Sequence, residues 1–543
     1  MKLLNLSPGT ANPMSPRTLA ERSSETPAER RRKRRRRRRH KKHKRPAPPV
    51  VVKPPAPPAP PPAPVVPVAV LDARSLHVLN RFTSGWSPAL GAEVTRAGGI
   101  DAWFAAQLSP EQLPDTAYTS TGAWWSSNLA DALTTVARDD AGTESFWDAN
   151  MNYQRWSLVR RMTSERQLLE TMAAFWEHHF HVPTDGGSSA PYRAPYGVLI
   201  RSLALGRFDV LLNAVSTHPA MGAFLGNASS TRTAPNENQG RELLELHTVG
   251  RDAGYTENDV KSSARILTGW RVDLWNTWVA KYDTASHWTG AVSVLGFTHA
   301  NTSTDGRAVT KAYLDYLAQH PATARRIAAK LAVHFVADDP SDELVDHLAS
   351  VYLANGTAIA PVLKALISTP EFLASAGAKT RTPEEDVIAT YRALGVKISP
   401  PASDAASANA ILWQCEQIGL MPFAWPRPDG RPDTAGAWTS VSRILGSFDV
   451  HYTMSGGWWP TVGSTYAAAA DWLPQPSVRF DDLVDHLSRT ILGRAATPKL
   501  QQVASQATGI TAATTITSTH GLVRWEMPRL LTVFLDNPLH IGR

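Results

Sequence analysis

Apolar residues recur with helical spacing along almost the whole chain from about residue 73 onward, and few stretches alternate with the period of a β-strand. The clearest case is a row at steps of three, four and three residues, formed by Leu169, Met172, Trp176 and His179. We expect this helix to begin with a capping box formed by Ser164 and Gln167 and to end before Pro183. The pattern therefore predicts a helical fold.

Two further helices are predicted in the middle third of the chain. One begins near Asn236 or Asn238, since asparagine is a favoured N-cap, and it ends at Gly250. The other is capped by Thr256 and ends at Gly269. Later helices are predicted over residues 310–336, 341–353, 359–367 and 383–394, and weaker helical patterns continue to the C-terminus.

Residues 271–310 and 421–438 break the helical pattern. The first segment is rich in Trp, Thr, Ser and Gly and predicts a loop or a small hairpin. The second predicts an irregular loop, and its Pro426-Arg427-Pro428-Asp429-Gly430 run is typical of a turn that covers a cleft. His218-Pro219 and His320-Pro321 predict helix boundaries. The fold class is therefore mainly α: one large multi-helical domain, residues 73–543, with irregular Trp/Gly/Pro-rich loops and a subdomain break near 375–385.

Residues 1–72 have a different composition from the rest of the chain. Residues 30–45 hold 14 Lys or Arg and no acid, and 12 of the 22 residues from 46 to 67 are proline. We predict a disordered arm with a polybasic block on an extended proline-rich spacer. Such an arm would bind an anionic polymer or nucleic acid non-specifically, and the alternative is a solvated tail with no specific ligand.

The formal net charge of +8 arises from this arm, because the chain without residues 30–45 has 42 basic and 48 acidic residues, a net charge of −6. The folded part therefore gives no electrostatic case for nucleic-acid binding. A single cysteine, Cys415, excludes an internal disulfide and a cysteine-only zinc site. No apolar run predicts a transmembrane segment or a signal peptide. As written, we expect a cytoplasmic protein, and a mis-assigned start codon would allow export.

Three polar clusters are set into the apolar helical pattern of the middle third. The first comprises Glu177, His178 and His179. The second comprises Asn236, Glu237, Asn238, Arg241, Glu242 and Glu245, and the third comprises Tyr255, Thr256, Asp259, Arg265 and Trp270. Such groups are costly in a core unless they are paired or bind something. If the three segments converge, they predict a buried polar site.

An ordered series of motifs after residue 73 resembles the bacterial family known as domain of unknown function 1800. It includes residues 77–82, 175–180, 236–250, 254–270, Lys330-Leu331 with His334-Phe335, and 422–438. The resemblance implies a predominantly helical protein with no assigned reaction. Members of that family are often encoded beside sulfatase-like proteins, so the resemblance also implies a sulfatase-like partner protein.

The clusters leave three interpretations open. Glu242 and Glu245 share a helical face and are typical of paired metal ligands, but no Glu-x-x-His motif completes a di-iron pattern, and the metal and cofactor stay unassigned. Alternatively His179, Glu237, Glu242 and Glu245 act as catalytic acids and bases of a metal-assisted or acid-base hydrolase on a polar or glycan-type substrate. In that case the substrate-binding groups are Asn236, Asn238, Arg241, Arg265, Trp176 and Trp270.

The third and favoured interpretation is non-enzymatic. The same His, Glu, Asn and Arg side chains then form a buried polar network in a binding or assembly protein. Part of the second cluster is explained by structure alone, because Asn236 and Asn238 stand where a helix should begin. The biochemical function, and whether the protein is an enzyme, are not assigned by the sequence.

Overall fold

The structure is a computed structural model that describes residues 67–185 and 187–543. Over this range it is mainly helical, with 25 α-helices and a few short strands. The helices are Ala73–Phe82, Pro88–Arg96, Ile100–Gln107, Thr116–Gly122, Ala132–Asp140, Phe146–Thr163, Gln167–His179, Arg193–Leu203, Phe208–Ser216, Pro219–Phe224, Glu237–Glu242, Glu257–Ile266, Arg307–Gln319, Pro321–Phe335, Asp342–Ala354, Ile359–Leu366, Pro370–Ala374, Pro383–Ala393, Ser407–Gln417, Ala435–Trp438, Val441–Ser455, Phe480–Leu492, Pro498–Thr508, Met527–Leu535 and Pro538–Ile541.

The strands form four separate antiparallel pairs in the described part of the chain. The pairs are Trp270–Val272 with Ala280–Tyr282, Val292–Val294 with Phe297–His299, Lys397–Ile398 with Ser464–Thr465, and Ser477–Arg479 with Thr515–Thr517. The first two pairs confirm the hairpin predicted for residues 271–310. In most of the described chain, apolar helix faces are buried against other helices.

Local capping explains several helix starts. Thr256 and Asp259 form the two reciprocal hydrogen bonds of a capping box at the helix Glu257–Ile266, as predicted. His218 and His320 each accept the backbone N–H two residues on, from Ala220 and Ala322, at helices whose first residue is proline. The histidine-proline pairs are therefore helix boundaries, and the second one divides the predicted helix 310–336 into two.

The capping box predicted for Ser164 is wrong. Ser164 ends the preceding helix, and the helix Gln167–His179 begins after Arg166 without a side-chain cap. Gln167 instead turns back and donates from its amide to the carbonyl oxygens of Ser164 and Arg161. These hydrogen bonds close the turn between the two helices. The same serine-to-glutamine spacing that is typical of a capping box therefore occurs here in a turn.

Two large groups of buried apolar side chains hold the helices together. The first extends from Leu76 to Phe372 along the chain and includes the fully buried Trp176 and Phe335. The second is mostly C-terminal, from Val387 to Leu535. Burial on this scale is the main stabilising contribution to a helical fold of this size. The arm predicted for residues 1–72 lies almost wholly outside the described residues, and the subdomain break near 375–385 stays a prediction.

Within the part of the chain that the structure covers, no helix combines the length and the apolar character needed to cross a bilayer.

Candidate functional site

A cavity of about 760 Å³ lies where four segments of the chain meet. The segments are the end of the helix Gln167–His179, residues 249–253, the helix Pro321–Phe335, and the irregular loop 427–433. The loop was predicted from its turn residues to cover a cleft, and it forms one wall of this cavity. Nine charged side chains line it: Arg251, Asp252, Arg325, Arg326, Lys330, Arg427, Asp429, Arg431 and Asp433.

The two adjacent histidines at the end of the helix Gln167–His179 point to different partners. His178 accepts a hydrogen bond from Arg431 Nε at 3.0 Å, whereas His179 Nε2 donates to the carbonyl oxygen of His247 at 3.1 Å. Burial and then the nearby Arg431 lower the pKa of His178 to about 4, and burial holds the pKa of His179 well below its ordinary value. Both imidazoles are therefore neutral near pH 7 and line the cavity as hydrogen-bonding groups.

His334 and Asp433 form a pair at the cavity wall. Nδ1 of His334 donates to Asp433, and the buried Nε2 has no hydrogen-bond partner among the residues described. Burial raises the pKa of the Asp433 carboxyl, but His334, Arg431 and Arg543 outweigh it and hold that pKa far below its usual range. Burial lowers the pKa of His334. A neutral imidazole that donates from Nδ1 carries an unprotonated Nε2, so this nitrogen is a free base.

Lys330 and Arg326 lie four residues apart on the helix Pro321–Phe335, so they share one helical face. The Lys330 amine forms no hydrogen bond or close ion pair in the described part of the chain, and Arg326 hydrogen-bonds only to the backbone oxygen of Leu246, at 3.2 Å. Burial, followed by the charge of Arg326, lowers the pKa of Lys330 to about 8. Two half-buried cations without carboxylate partners thus stand side by side at the cavity.

The other cations of the wall are paired. Arg431 contacts Glu384 at 3.2 Å, Arg427 contacts Asp429 at 2.9 Å, and Arg251 contacts Glu245 at 3.0 Å. Six cations and three carboxylates line the cavity, and Arg251, Arg325 and Arg431 are paired with carboxylates from outside the lining, so the positive charge without a carboxylate partner is that of Arg326 and Lys330. Because a cavity wall screens charge less than bulk water does, the potential inside favours an anion.

Three consecutive buried acids lie next to the cavity wall, and two of them pair with arginines there. Glu384, Glu385 and Asp386 occupy the first turn of the helix Pro383–Ala393 and are 2%, 6% and 1% exposed. Glu384 pairs with Arg161 at 2.9 Å as well as with Arg431, and Glu385 contacts Arg543 at 3.4 Å. Buried carboxylates persist only when they are paired, so this acidic turn and its arginines form one ion network behind the cavity.

Gly430 lets the loop approach the helix Gln167–His179. A Cβ atom at this position would lie 2.1 Å from the carbonyl oxygen of His178, and the residue has a φ of +72°. Both the space and the backbone conformation therefore require glycine. The contact holds the loop against the end of that helix and closes this side of the cavity.

The structure places the predicted site residues in different surroundings. His179 lines the cavity. Glu245 adjoins it through Arg251, and the half-buried Glu242 has its pKa raised by burial and then by Glu245. Arg241 instead binds the exposed Glu257 with two bonds of 2.8 and 2.7 Å and contacts Glu237 at 3.6 Å.

The predicted binding residues outside this group have structural contacts. Asn236 caps its helix, and Asn238 donates to the backbone oxygen of Leu225 at 3.2 Å. Trp176 is fully buried and donates to the oxygen of Ala204 at 2.9 Å. Arg265 lies over the Trp288 ring at 4.7 Å, and Trp270 packs on Tyr282 and lines a separate cavity of about 180 Å³. The three predicted clusters thus meet only in part.

Lys330, His334, Arg431 and Asp433 were not predicted as site residues. Lys330 and His334 are four residues apart on one helical face, and that spacing is visible in the sequence. Their surroundings are not visible there, because Asp433 reaches His334 from 99 positions away along the chain.

A second group of side chains has a composition that suits a metal ion. Ligand atoms of the buried Asp386, His451 and His540 lie within 4.8 Å of one another. However, Asp386 already accepts from Arg443 at 3.0 Å and from Ser447 at 2.7 Å. Although burial lowers it, the net pKa of His451 is raised to about 9 by Asp386 and Asp536, so the imidazole is protonated near pH 7. Arg443, Ser447 and Asp536 already satisfy these side chains, so the group forms a buried ion network.

Comparison with known proteins gives one match. The model of a family described as Protein of unknown function (DUF1800) matches residues 77–539, which is most of the chain. No curated protein and no solved structure matches.

Proposed function

Because this chain belongs to the family described as Protein of unknown function (DUF1800), we propose a function from its own geometry: the cavity binds a small molecule that carries a phosphate, sulfate or carboxylate group. The observation that carries this proposal is the pair Arg326 and Lys330, two neighbouring cations at the cavity that have no carboxylate partner. Leaving them unpaired costs stability, and an anionic ligand would supply the missing counter-ion.

The rest of the cavity supports a small ligand. Its volume of about 760 Å³ falls within the range of small-molecule sites. The neutral histidines His178 and His179, together with Phe175, provide polar and apolar surface beside the cations. A ligand held there would make charge-assisted hydrogen bonds at one end and neutral contacts at the other.

Calorimetry with inorganic phosphate and sulfate tests the proposal. Binding is expected for the wild type and should weaken by at least about tenfold in Lys330→Met, because one charge-assisted contact is removed. Lys311→Met is the matched control, since that lysine is 70% exposed and already paired with Asp315. Equal affinity of the two variants for both anions would overturn the proposal.

The hydrolase alternative based on His179, Glu237, Glu242 and Glu245 has weaker support. Glu237 contacts Arg241 at the protein surface, and Glu245 contacts the 78% exposed Arg251. Only His179 of the four lines the cavity wall. Glu242→Ala would therefore be expected to leave anion affinity within about threefold of the wild type, because its carboxylate does not line the cavity.

Two partner predictions fit an anion-binding protein. A sulfatase-like partner would release sulfate or phosphate, which are anions that suit the cavity. The polybasic block 30–45, outside the described residues, would hold an anionic polymer. Heparin affinity should then fall steeply with salt and disappear when residues 30–45 are deleted; retention by the truncated chain would contradict this. The cytoplasmic location likewise stays a prediction.

A further inference from the structure

The cavity combines a nucleophile with a base on one helix. Arg326, Lys330 and His334 follow one another at intervals of four residues, so they form a row along the helix Pro321–Phe335. Among the described residues that line the cavity there is no serine, threonine, cysteine or tyrosine. Lys330 supplies an amine in this wall, and an amine is the nucleophile that forms an imine with a carbonyl compound.

We infer that Lys330 forms an imine with a carbonyl compound that also carries an anionic group, with Arg326 holding the anionic group and His334, positioned by Asp433, transferring the protons. The inference rests on the proposed function, because the anion site is what would bring the carbonyl carbon to the amine. A 2-oxo acid or an aldehyde with a phosphate group has the required chemistry.

The surroundings of Lys330 favour the neutral amine. Arg326 and His334 lie on its own helix, the buried His179 and His247 lie near enough to interact with its charge, and Asp429 and Asp433 lie on the loop. Burial and Arg326 outweigh the two aspartates and bring the pKa of Lys330 to about 8. Roughly a tenth of the amine is then uncharged at pH 7, far more than for an exposed lysine.

The step is balanced without a further reactant. The Nζ lone pair attacks the carbonyl carbon, a C–N bond forms, and the carbonyl π pair moves to oxygen. That oxygen takes up the proton that the nitrogen releases, with His334 Nε2 accepting it from nitrogen and returning it to oxygen. A second proton transfer by the same path expels the oxygen as water while the nitrogen lone pair forms the C=N bond. The products are the imine and one water molecule.

Reductive trapping on the full chain tests the inference. Pyridoxal 5′-phosphate and pyruvate serve as probes, sodium borohydride reduces any imine, and peptide mass spectrometry locates the adduct. We expect the Lys330 peptide to be labelled at least about tenfold faster than the peptide with the exposed Lys311, and inorganic phosphate to protect it. Wild-type protein that binds phosphate but labels both lysines equally would overturn the imine and leave the anion site intact.

Two variants separate binding from chemistry. Lys330→Arg keeps the positive charge, so it should bind phosphate more tightly than Lys330→Met does, yet it should lose the adduct at this position. His334→Gln should bind phosphate normally but form the adduct about tenfold or more slowly, with a changed pH profile. An unchanged labelling rate in His334→Gln would remove His334 from the mechanism. Failure of the wild type to bind phosphate would instead refute the proposed function.

Discussion

His334 and His451 are buried histidines that contact carboxylates, and they differ in how many of their ring nitrogens are engaged. His451 contacts Asp536 through Nδ1 at 2.8 Å and Asp386 through Nε2 at 3.2 Å. His334 contacts Asp433 through Nδ1 alone, and its Nε2 has no partner among the residues described. Both rings are almost inaccessible to solvent, so burial alone does not distinguish them.

The difference appears in the pKa values. Burial lowers the pKa of both imidazoles. At His451 the carboxylates of Asp386 and Asp536 outweigh burial and raise the pKa to about 9, whereas at His334 burial together with Arg543 outweighs Asp433 and Glu385 and leaves the pKa below its ordinary value. His451 is thus a structural cation and His334 a neutral base. The number of ring nitrogens with acidic partners, not the presence of a histidine-aspartate pair, separates a stabilising ion network from a reactive group.

The largest change in the free energy of unfolding is expected from Asp386→Asn, because it leaves Arg443 buried without a carboxylate and the protonated His451 with Asp536 alone. Removing one partner of a buried ion network costs about 3 to 5 kcal/mol of unfolding free energy. Urea denaturation measures this. The control is Asp342→Asn, whose side chain is 84% exposed and pairs with Arg325 at the surface; it should cost less than about 1 kcal/mol. Similar losses of unfolding free energy in both variants would show that the buried ion network is no more stabilising than the surface ion pair.

The pH dependence of stability tests the charge of His451. Its folded pKa of about 9 lies above the ordinary value of 6.5, so the stabilisation is fully present below pH 6.5 and is lost as pH rises through 9. The loss should be on the order of 2 kcal/mol, discounted for relaxation around a buried pair. His451→Gln should be less stable than the wild type at pH 6.5 and nearly equal to it above pH 9. A constant difference across this window would show that His451 is not protonated.

Lys330→Met should raise the free energy of unfolding, whereas the two substitutions above lower it. Since the folded pKa of Lys330 is about 8 against an ordinary 10.5, the charged amine destabilises the folded state below pH 8, and this cost disappears between pH 8 and 10.5. The variant should therefore be more stable than the wild type by about 1 to 2 kcal/mol at pH 7. Thermal and urea unfolding without added anions would show it. A destabilised Lys330→Met, beside a neutral Lys311→Met, would mean that the amine is paired.

The smallest change in the free energy of unfolding is expected from His334→Gln. One ring nitrogen is engaged, and glutamine can still donate to Asp433, so the unfolding free energy should change by no more than about 1 kcal/mol. The same substitution at His451 removes a charge held by two carboxylates and should cost more below pH 6.5. Equal costs in paired denaturation curves would erase the distinction between the two histidines.

Much of the fold follows from local sequence patterns. The helix Glu257–Ile266 was predicted because its cap, Thr256 with Asp259, is a local interaction. The same reasoning was wrong at Ser164, because a short serine-to-glutamine spacing also suits a turn between two helices. A local motif predicts the end of a helix well where its side-chain hydrogen bonds can form in one backbone conformation, and poorly where they can also form in another.

The site was predicted less completely than the fold. His179 was named from the sequence because two histidines stand at the end of an apolar helix, and it lines the cavity; its functional role stays a prediction. Glu384, whose carboxylate orders the wall, lies more than 200 positions from His178, and Asp433 lies 99 from His334. Nothing in a single sequence specifies which distant carboxylate reaches which imidazole. The unpaired state of Lys330 is likewise a property of the packed structure.

The acidic turn Glu384-Glu385-Asp386 carries a consequence for how this protein can change over evolution. Glu384 pairs with Arg431 of the cavity wall, and two residues later Asp386 pairs with His451 in the C-terminal part of the chain. One helical turn therefore provides the carboxylates for both the cavity wall and the C-terminal ion network. Substitutions that reshape the cavity through this turn also disturb the C-terminal core. New ligand preferences are therefore more readily acquired at the exposed part of the loop, where Arg427 and Asp429 pair with each other.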